Sequence, residues 1–216
     1  MPYLWAAGNS GQTAQFGLPR VDVNLPFRDV LDHLEFAAMV MAEARHGEAS
    51  LFGDLVYLKL SNETATPRGL LAGTAALSFA ATASTLGAGY SVLSNGESHL
   101  DIAAAARIWH LDTDLAFNGW LLNGLVPSDG ATWVDGLVGL RGTYAIDDTV
   151  YLTAWALVGA GGAQFDWDVA GAVGYRLNRR FSMLVGYRAV GINYDRGGFV
   201  FDLVQQGPLL GLKMEF

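Results

Sequence analysis

Gly207-Pro208-Leu209-Leu210-Gly211-Leu212-Lys213-Met214-Glu215-Phe216 closes the sequence and decides how the rest of it is read. In an extended strand, successive side chains point to opposite faces. Leu210, Leu212, Met214 and Phe216 then share one face, and Gly211, Lys213 and Glu215 share the other. One face is apolar and the other carries both charges. A closed sheet in a lipid bilayer has this polarity, apolar outward and polar inward. The segment predicts the last strand of a transmembrane antiparallel barrel.

Composition agrees. The 216 residues suit a single domain over 1–216, and they are 51% hydrophobic but only 16% charged, below the ~25% of ordinary soluble domains. With no cysteine and a net charge of -8, disulfides, thiolate metal sites and general nucleic-acid binding are excluded. Met1-Pro2-Tyr3-Leu4-Trp5 has neither a basic nor an apolar leader region, so an exported chain would be in its mature form. The run Gly69 to Gly96 holds no charge and is long enough for a membrane helix. Its many Ser, Thr and Gly residues favour a strand with a bulge near 80–84 instead.

Alternation extends backward from the tail. Strands are predicted over residues 3–16, 35–45, 49–61, 70–93, 100–117, 133–146, 150–158, 164–177, 181–194 and 199–216. The fold class is therefore all-β: a transmembrane antiparallel up-and-down barrel of about ten strands. The first long connection, 17–34, contains Phe27, Val30, Leu31 and Leu34 at helical spacing behind Pro26, which predicts one short amphipathic helix. That helix either rests on the barrel mouth or folds into the lumen. Asn62–Arg68, with Pro67, and Asn118–Gly130, with Trp120 and Pro127, read as further long loops, and Asn95-Gly96 as a hairpin turn. Long connections after the first, third and fifth strands alternate with tight turns after the second, fourth, sixth and eighth. Bacterial barrels alternate in that phase. Tyr90, Tyr144 and Tyr175 precede tight turns and form half of a membrane-interface girdle. Phe165, Trp167 and Trp133 are assigned to the opposite interface.

The stretches 171–216, with Gly174-Tyr175-Arg176 and Tyr194-Asp195-Arg196-Gly197-Gly198-Phe199, and 29–54 resemble uncharacterised outer-membrane β-barrel proteins of Gram-negative bacteria. The resemblance implies an outer-membrane location and lipid as solvent. It also implies that the tail with Phe216 is the signal read by the outer-membrane assembly machinery. It names no activity, since fold alone does not give function.

The alternation turns Glu43, Arg45, Asp54, Asp101 and Arg107 toward the lumen, together with Arg141, Arg176, Arg188, Lys213 and Glu215. These charges either neutralise one another and fill a narrow barrel or line a passage for small solutes. Thr153, Trp155 and Leu157 fall on the same inner face, and a partly apolar lumen suits a hydrophobic solute. Asp112, Asp114, Asp135, Asp166 and Asp168 are assigned to an acidic outer mouth, with His110 nearby. The expected function is a non-enzymatic conduit or structural barrel without metal or cofactor. The alternatives are an enzyme with rim carboxylates, as in the omptins, which share only strand number and residue types with this chain, and a surface-binding barrel using acidic loops.

Overall fold

The computed structural model of the chain describes residues 1–65, 74–118 and 124–216. Three short strands come first: β1 (Tyr3–Trp5), β2 (Gly8–Ala14) and β3 (Val21–Leu25). The helix α1 (Phe27–Asp32) follows. Nine longer strands then run up and down: β4 (Leu34–His46), β5 (Ala49–Ala65), β6 (Thr74–Asn95), β7 (Ser98–Asn118), β8 (Ser128–Ala145), β9 (Val150–Gly161), β10 (Phe165–Arg176), β11 (Phe181–Arg196) and β12 (Phe199–Met214). All twelve strands form one antiparallel sheet, ordered β3-β2-β12-β11-β10-β9-β8-β7-β6-β5-β4, with β1 on β12 beside that path. The sheet curls into a half-barrel, so that Arg107 on β7 meets Asp166 on β10.

The all-β, up-and-down reading and the tight turns after β4, β6, β8 and β10 agree with expectation. The strand count does not. The expected first strand, 3–16, is broken at Ala6-Ala7 into β1 and β2, and the expected connection 17–34 holds a strand of its own, β3, paired to β2. Within β2, Gly11 adopts φ +142°, and a Cβ there would lie 2.1 Å from the Asp202 carbonyl oxygen, so that position cannot carry an ordinary side chain. The expected loop residues Pro67 and Arg68, the start of the expected fourth strand at 70–73, and Trp120 lie outside the described residues.

The edge strand β4 and the strand β12 are joined through the N-terminus. β1 pairs with β12 through Leu4 opposite Leu210, Pro2 bridges Val40 of β4, and the Met1 amine donates to the Met41 carbonyl at 2.7 Å. Above that contact, residues 34–39 of β4 pair with β5 alone among the described residues, and α1 covers the gap. Pro26 starts α1 without a side-chain cap, and Val30 is its one buried residue. The helix therefore rests over the gap and does not fill the lumen.

Burial alternates along the long strands, as in β7 and β8. The outward face is apolar: Leu86 is 71% exposed and Val138 and Val185 are each 59% exposed. At the turn between β8 and β9, the Asp147 carboxylate accepts from the backbone N–H of Thr149 and Val150 at 2.7 and 2.8 Å, which holds its carboxyl below the ordinary range.

Glycine lets large rings lie flat on the wall. Trp167 is paired across from Gly191, and a Cβ on Gly191 would lie 2.1 Å from the Trp167 ring nitrogen. At Gly171 a Cβ would meet nothing within 4 Å. Gly191→Val is expected to cost about 1–3 kcal/mol through overpacking. Gly171→Val is expected to be neutral or favourable, given valine's fit to a pleated surface. Denaturant unfolding of both variants in detergent checks the contrast, and equal effects would show that Trp167 does not need the glycine.

Candidate functional site

The inward positions build two layers. Toward the long-loop end lies an aromatic layer. Trp133 stacks on Tyr194 with ring centroids 4.0 Å apart and on Trp109 at 6.0 Å, and Phe201 leans on both indoles. Trp133 is expected at the membrane interface opposite the tyrosines. It is buried here because it shares the inward parity of Asp135, and its indole N–H donates to that carboxylate at 2.8 Å.

Beneath the rings lies a buried ionic network centred on Asp168. This carboxylate accepts from Arg107 Nη2 at 2.5 Å, Arg188 Nη2 at 2.7 Å and Trp155 Nε1 at 2.8 Å. Arg107 also donates to Asp166 at 2.7 Å and to the Thr85 hydroxyl at 2.9 Å. Arg188 reaches across to Asp54 at 2.7 Å, and the Tyr3 hydroxyl donates to the same carboxylate at 2.7 Å. Asp166 takes a further bond from Trp109 Nε1 at 3.0 Å. Asp135 takes one from the Ala163 N–H at 2.8 Å. With Asp135 on β8 beside Arg107, the network joins side chains from β1, β5, β6, β7, β8, β9, β10 and β11.

A third group lies at the tight-turn end. Arg45 pairs with Asp101, donates to Ser91 at 2.8 Å and to Glu43 at 3.0 Å, and Arg141 sits 3.8 Å above the Phe52 ring and 3.2 Å from Glu43. Glu43, His99 and Asp101 bring ligand atoms within 4.8 Å of one another, but a cation there would have to displace Arg45 from two carboxylates. Arg176 pairs with Glu97 at 2.6 Å, and Lys213 with Glu215 at 2.6 Å, both near solvent.

The ten expected lumen charges thus fall into four sets: the central network, the Arg45 cluster, and the separate Arg176 and Lys213 pairs. The expected acidic mouth divides. Asp112 and Asp114 are exposed, and Asp112 bonds His110 at 2.7 Å. Asp135, Asp166 and Asp168 are instead buried, at 0–1% exposure. Their inward parity places them beside Arg107 and Arg188, which a linear reading of strand ends puts elsewhere. A rim-carboxylate mechanism loses three of its five acids to this network. His110 also bonds the Thr132 hydroxyl at 2.6 Å, a row of Thr, His and Asp that is open to solvent, with the His110 and Asp112 side chains 54% and 55% exposed.

Tyr90, Tyr144, Tyr175 and Phe165 are exposed on the outer face, and Trp167 lies flat beside them. Tyr144 and Tyr175 immediately precede the last residues of β8 and β10, while Tyr90 sits higher on β6, its hydroxyl bonded to Glu48. Phe216 is fully exposed. Sequence reasoning missed Tyr3, Trp109 and Thr85 as partners of the charges. Parity with Arg107 was the available signal for Trp109.

Free volume follows the layers. Within the network a pocket of about 30 Å³ lies beside Asp54, Arg107 and Arg188, room for a water or two, and a larger cavity reaches the same residues. Nearer the long-loop end, a cavity of about 450 Å³ lies between the β2–β3 hairpin, α1 and β5–β6, lined by Leu58, Leu77, Phe79 and Phe201. A second, of about 590 Å³, lies at the gap between β4 and the N-terminal strands.

No protein-family model matches the chain, and no curated protein is significantly similar to it.

Removing one partner from a buried ion pair leaves an unpaired charge and costs about 3–5 kcal/mol. Asp168→Ala is expected to lose stability in that range, and Asp112→Ala to stay within about 0.5 kcal/mol of the parent. Guanidinium unfolding of the detergent-folded proteins separates the two, and equal small losses would mean that the network does not hold the interior together.

Proposed function

We propose that the chain is an integral, non-enzymatic β-barrel of a bacterial outer membrane. Its lumen is filled at mid-height, so it does not conduct ions, and its apolar outer cavity receives a small apolar solute. The observation that carries this reading is the inversion of polarity. Leu86, Ile102, Val138 and Val185 stand outward at 56–71% exposure, while Arg107, Asp135, Asp166 and Asp168 are at or below 2%. Each such outward side chain gains roughly 1.5–3 kcal/mol on leaving water. A belt of them around a curled sheet favours lipid over water as its solvent.

On this reading the N-terminal segment closes the wall between β12 and β4. β1 and β2 act as halves of one strand, which gives about ten wall positions. The outward Tyr90, Tyr144 and Tyr175 lie at one membrane interface, where a ring with one polar end is favoured. The exposed Phe216 and the alternating tail are what the assembly machinery reads. The long-strand lengths support a span, since crossing the bilayer needs about 9–11 residues.

The buried ion pairs of Arg107 and Arg188 with Asp54, Asp166 and Asp168 across the interior favour a sealed barrel over an aqueous pore. In a planar bilayer, the refolded protein is expected to be silent, with no ohmic steps in salt. Steady single-channel steps would overturn the sealed-lumen reading. Removing Phe216 is expected to lower outer-membrane yield severalfold in cells while leaving refolding into vesicles intact. A matched loss in vesicles would mean that Phe216 serves folding and is not an address.

A further inference from the structure

The outer cavity contains one polar group that the protein itself does not satisfy. Thr113 on β7 is 4% exposed and lines this cavity. Among the described residues its hydroxyl oxygen has no hydrogen-bond partner. A buried unpaired hydroxyl costs free energy unless something bonds it. The rest of the lining is apolar apart from a few amides and hydroxyls and the two titratable residues Asp29 and His33. No Lys or Arg is among the lining residues described.

The neighbouring cavity of about 590 Å³ has a different shape. Its inner wall includes Val56, Ala81, Ala83 and Trp109, all inward positions, together with Asp54, Thr85, Arg107 and Arg188 of the ionic network. Its outer wall includes Leu4, Val185 and Leu210, which are exposed on the outer face. It lies where β4 lacks a strand partner above the Pro2–Val40 bridge, so it opens sideways. Val30, Leu58, Asn9 and Gln205 line both cavities, and Val30 is the one buried residue of α1. Both volumes are of the size that small-molecule sites occupy.

We propose that the two cavities form one site for a single-chain aliphatic amphiphile with an uncharged, hydrogen-bonding head, such as a long-chain alcohol. The head bonds the Thr113 hydroxyl, the chain passes Val30, and its tail lies along Ala81 and Ala83 toward the side opening between β1 and β4. No Lys or Arg lines the cavity around Thr113, and Arg107 and Arg188, which reach the neighbouring cavity, are already paired with Asp166, Asp168 and Asp54, which selects against a carboxylate or phosphate head at Thr113. The small side chains at Ala81 and Ala83 leave room for a methylene chain. The proposal rests on the membrane-barrel reading, because the side opening then faces lipid, and it gives the apolar solute a chemical class and a lateral route.

The test uses the full-length protein refolded in vesicles. It is exposed in turn to a long-chain alcohol, the matching fatty acid and a phospholipid, each with a photoreactive diazirine near the chain end, and labelled residues are mapped by mass spectrometry. The alcohol is expected to label β6 around Ala81–Ala83 and Val56. The fatty acid is expected to label them at least tenfold less, and the phospholipid to label only outward residues such as Val134 and Val138. Thr113→Val removes the unpaired hydroxyl at nearly constant shape. It is expected to keep or raise stability in denaturant while lowering interior labelling by the alcohol about three- to tenfold, the worth of one hydrogen bond.

Alcohol labelling confined to the outer wall, or unchanged in Thr113→Val, would overturn the site. Interior labelling by the phospholipid in place of the alcohol would overturn the ligand class. Interior labelling in a protein that also conducts ions would keep this site and remove the sealed-lumen reading.

Discussion

Asp168 is the point on which the interior depends. It is buried, and two arginines from different strands share it, Arg107 on β7 and Arg188 on β11. Neither guanidinium can leave without stranding a buried carboxylate. Because Arg188 also grips Asp54 on β5, and Arg107 grips Asp166 on β10, the network fixes how far the sheet curls. Neighbouring strands are held by ladder hydrogen bonds, but distant ones are held by these side chains. A curled sheet with an apolar interior would gain little here, since its outer face already carries the apolar surface. The ionic network supplies a set of contacts with few alternative partners, and that restricts the curvature to a narrow range.

The aromatic layer complements it. Trp109 and Trp133 each stack within the upper layer and each donate an indole N–H downward, to Asp166 and Asp135. The rings thus serve both halves, with faces packed among apolar side chains and N–H groups aimed at carboxylates. Trp155 does the same for Asp168 from β9. This explains how six buried or nearly buried charges, two arginines and four aspartates, coexist. Their surplus of negative charge is met by neutral donors, namely indoles, the Tyr3 hydroxyl and a backbone N–H.

Much of the wall was legible in the sequence, because a period of two is rigid. Once Leu210, Leu212 and Met214 face outward, every residue of the neighbouring strands has an assigned side. Asp101, Arg107, Arg141 and Arg188 fall inward as expected. What parity cannot give is height. Asp166 and Asp168 lie near the start of β10, which suggested a solvated mouth, yet the stagger between strands brings them level with Arg107 in the middle of β7. The N-terminus was legible only in part. Alternation over 3–16 said strand, but the chain changes partners at the small Ala6-Ala7 pair, and β3 has no periodic signal strong enough to stand out.

That local failure of alternation is also where the site lies. A strand that ran unbroken from Tyr3 to Phe16 would zip β12 to β4 along its whole length and leave no sideways opening. Breaking it at Ala6-Ala7 lets the lower part reach β4 through Pro2 and Met1 while the upper part turns back on itself as the β2–β3 hairpin. Among the described residues, the gap that results is covered by a six-residue helix that buries one side chain. Such a cover contributes little packing energy, roughly that of one buried valine, about 1.5–3 kcal/mol. Moving it therefore disturbs far less packing than opening any paired strand of the wall.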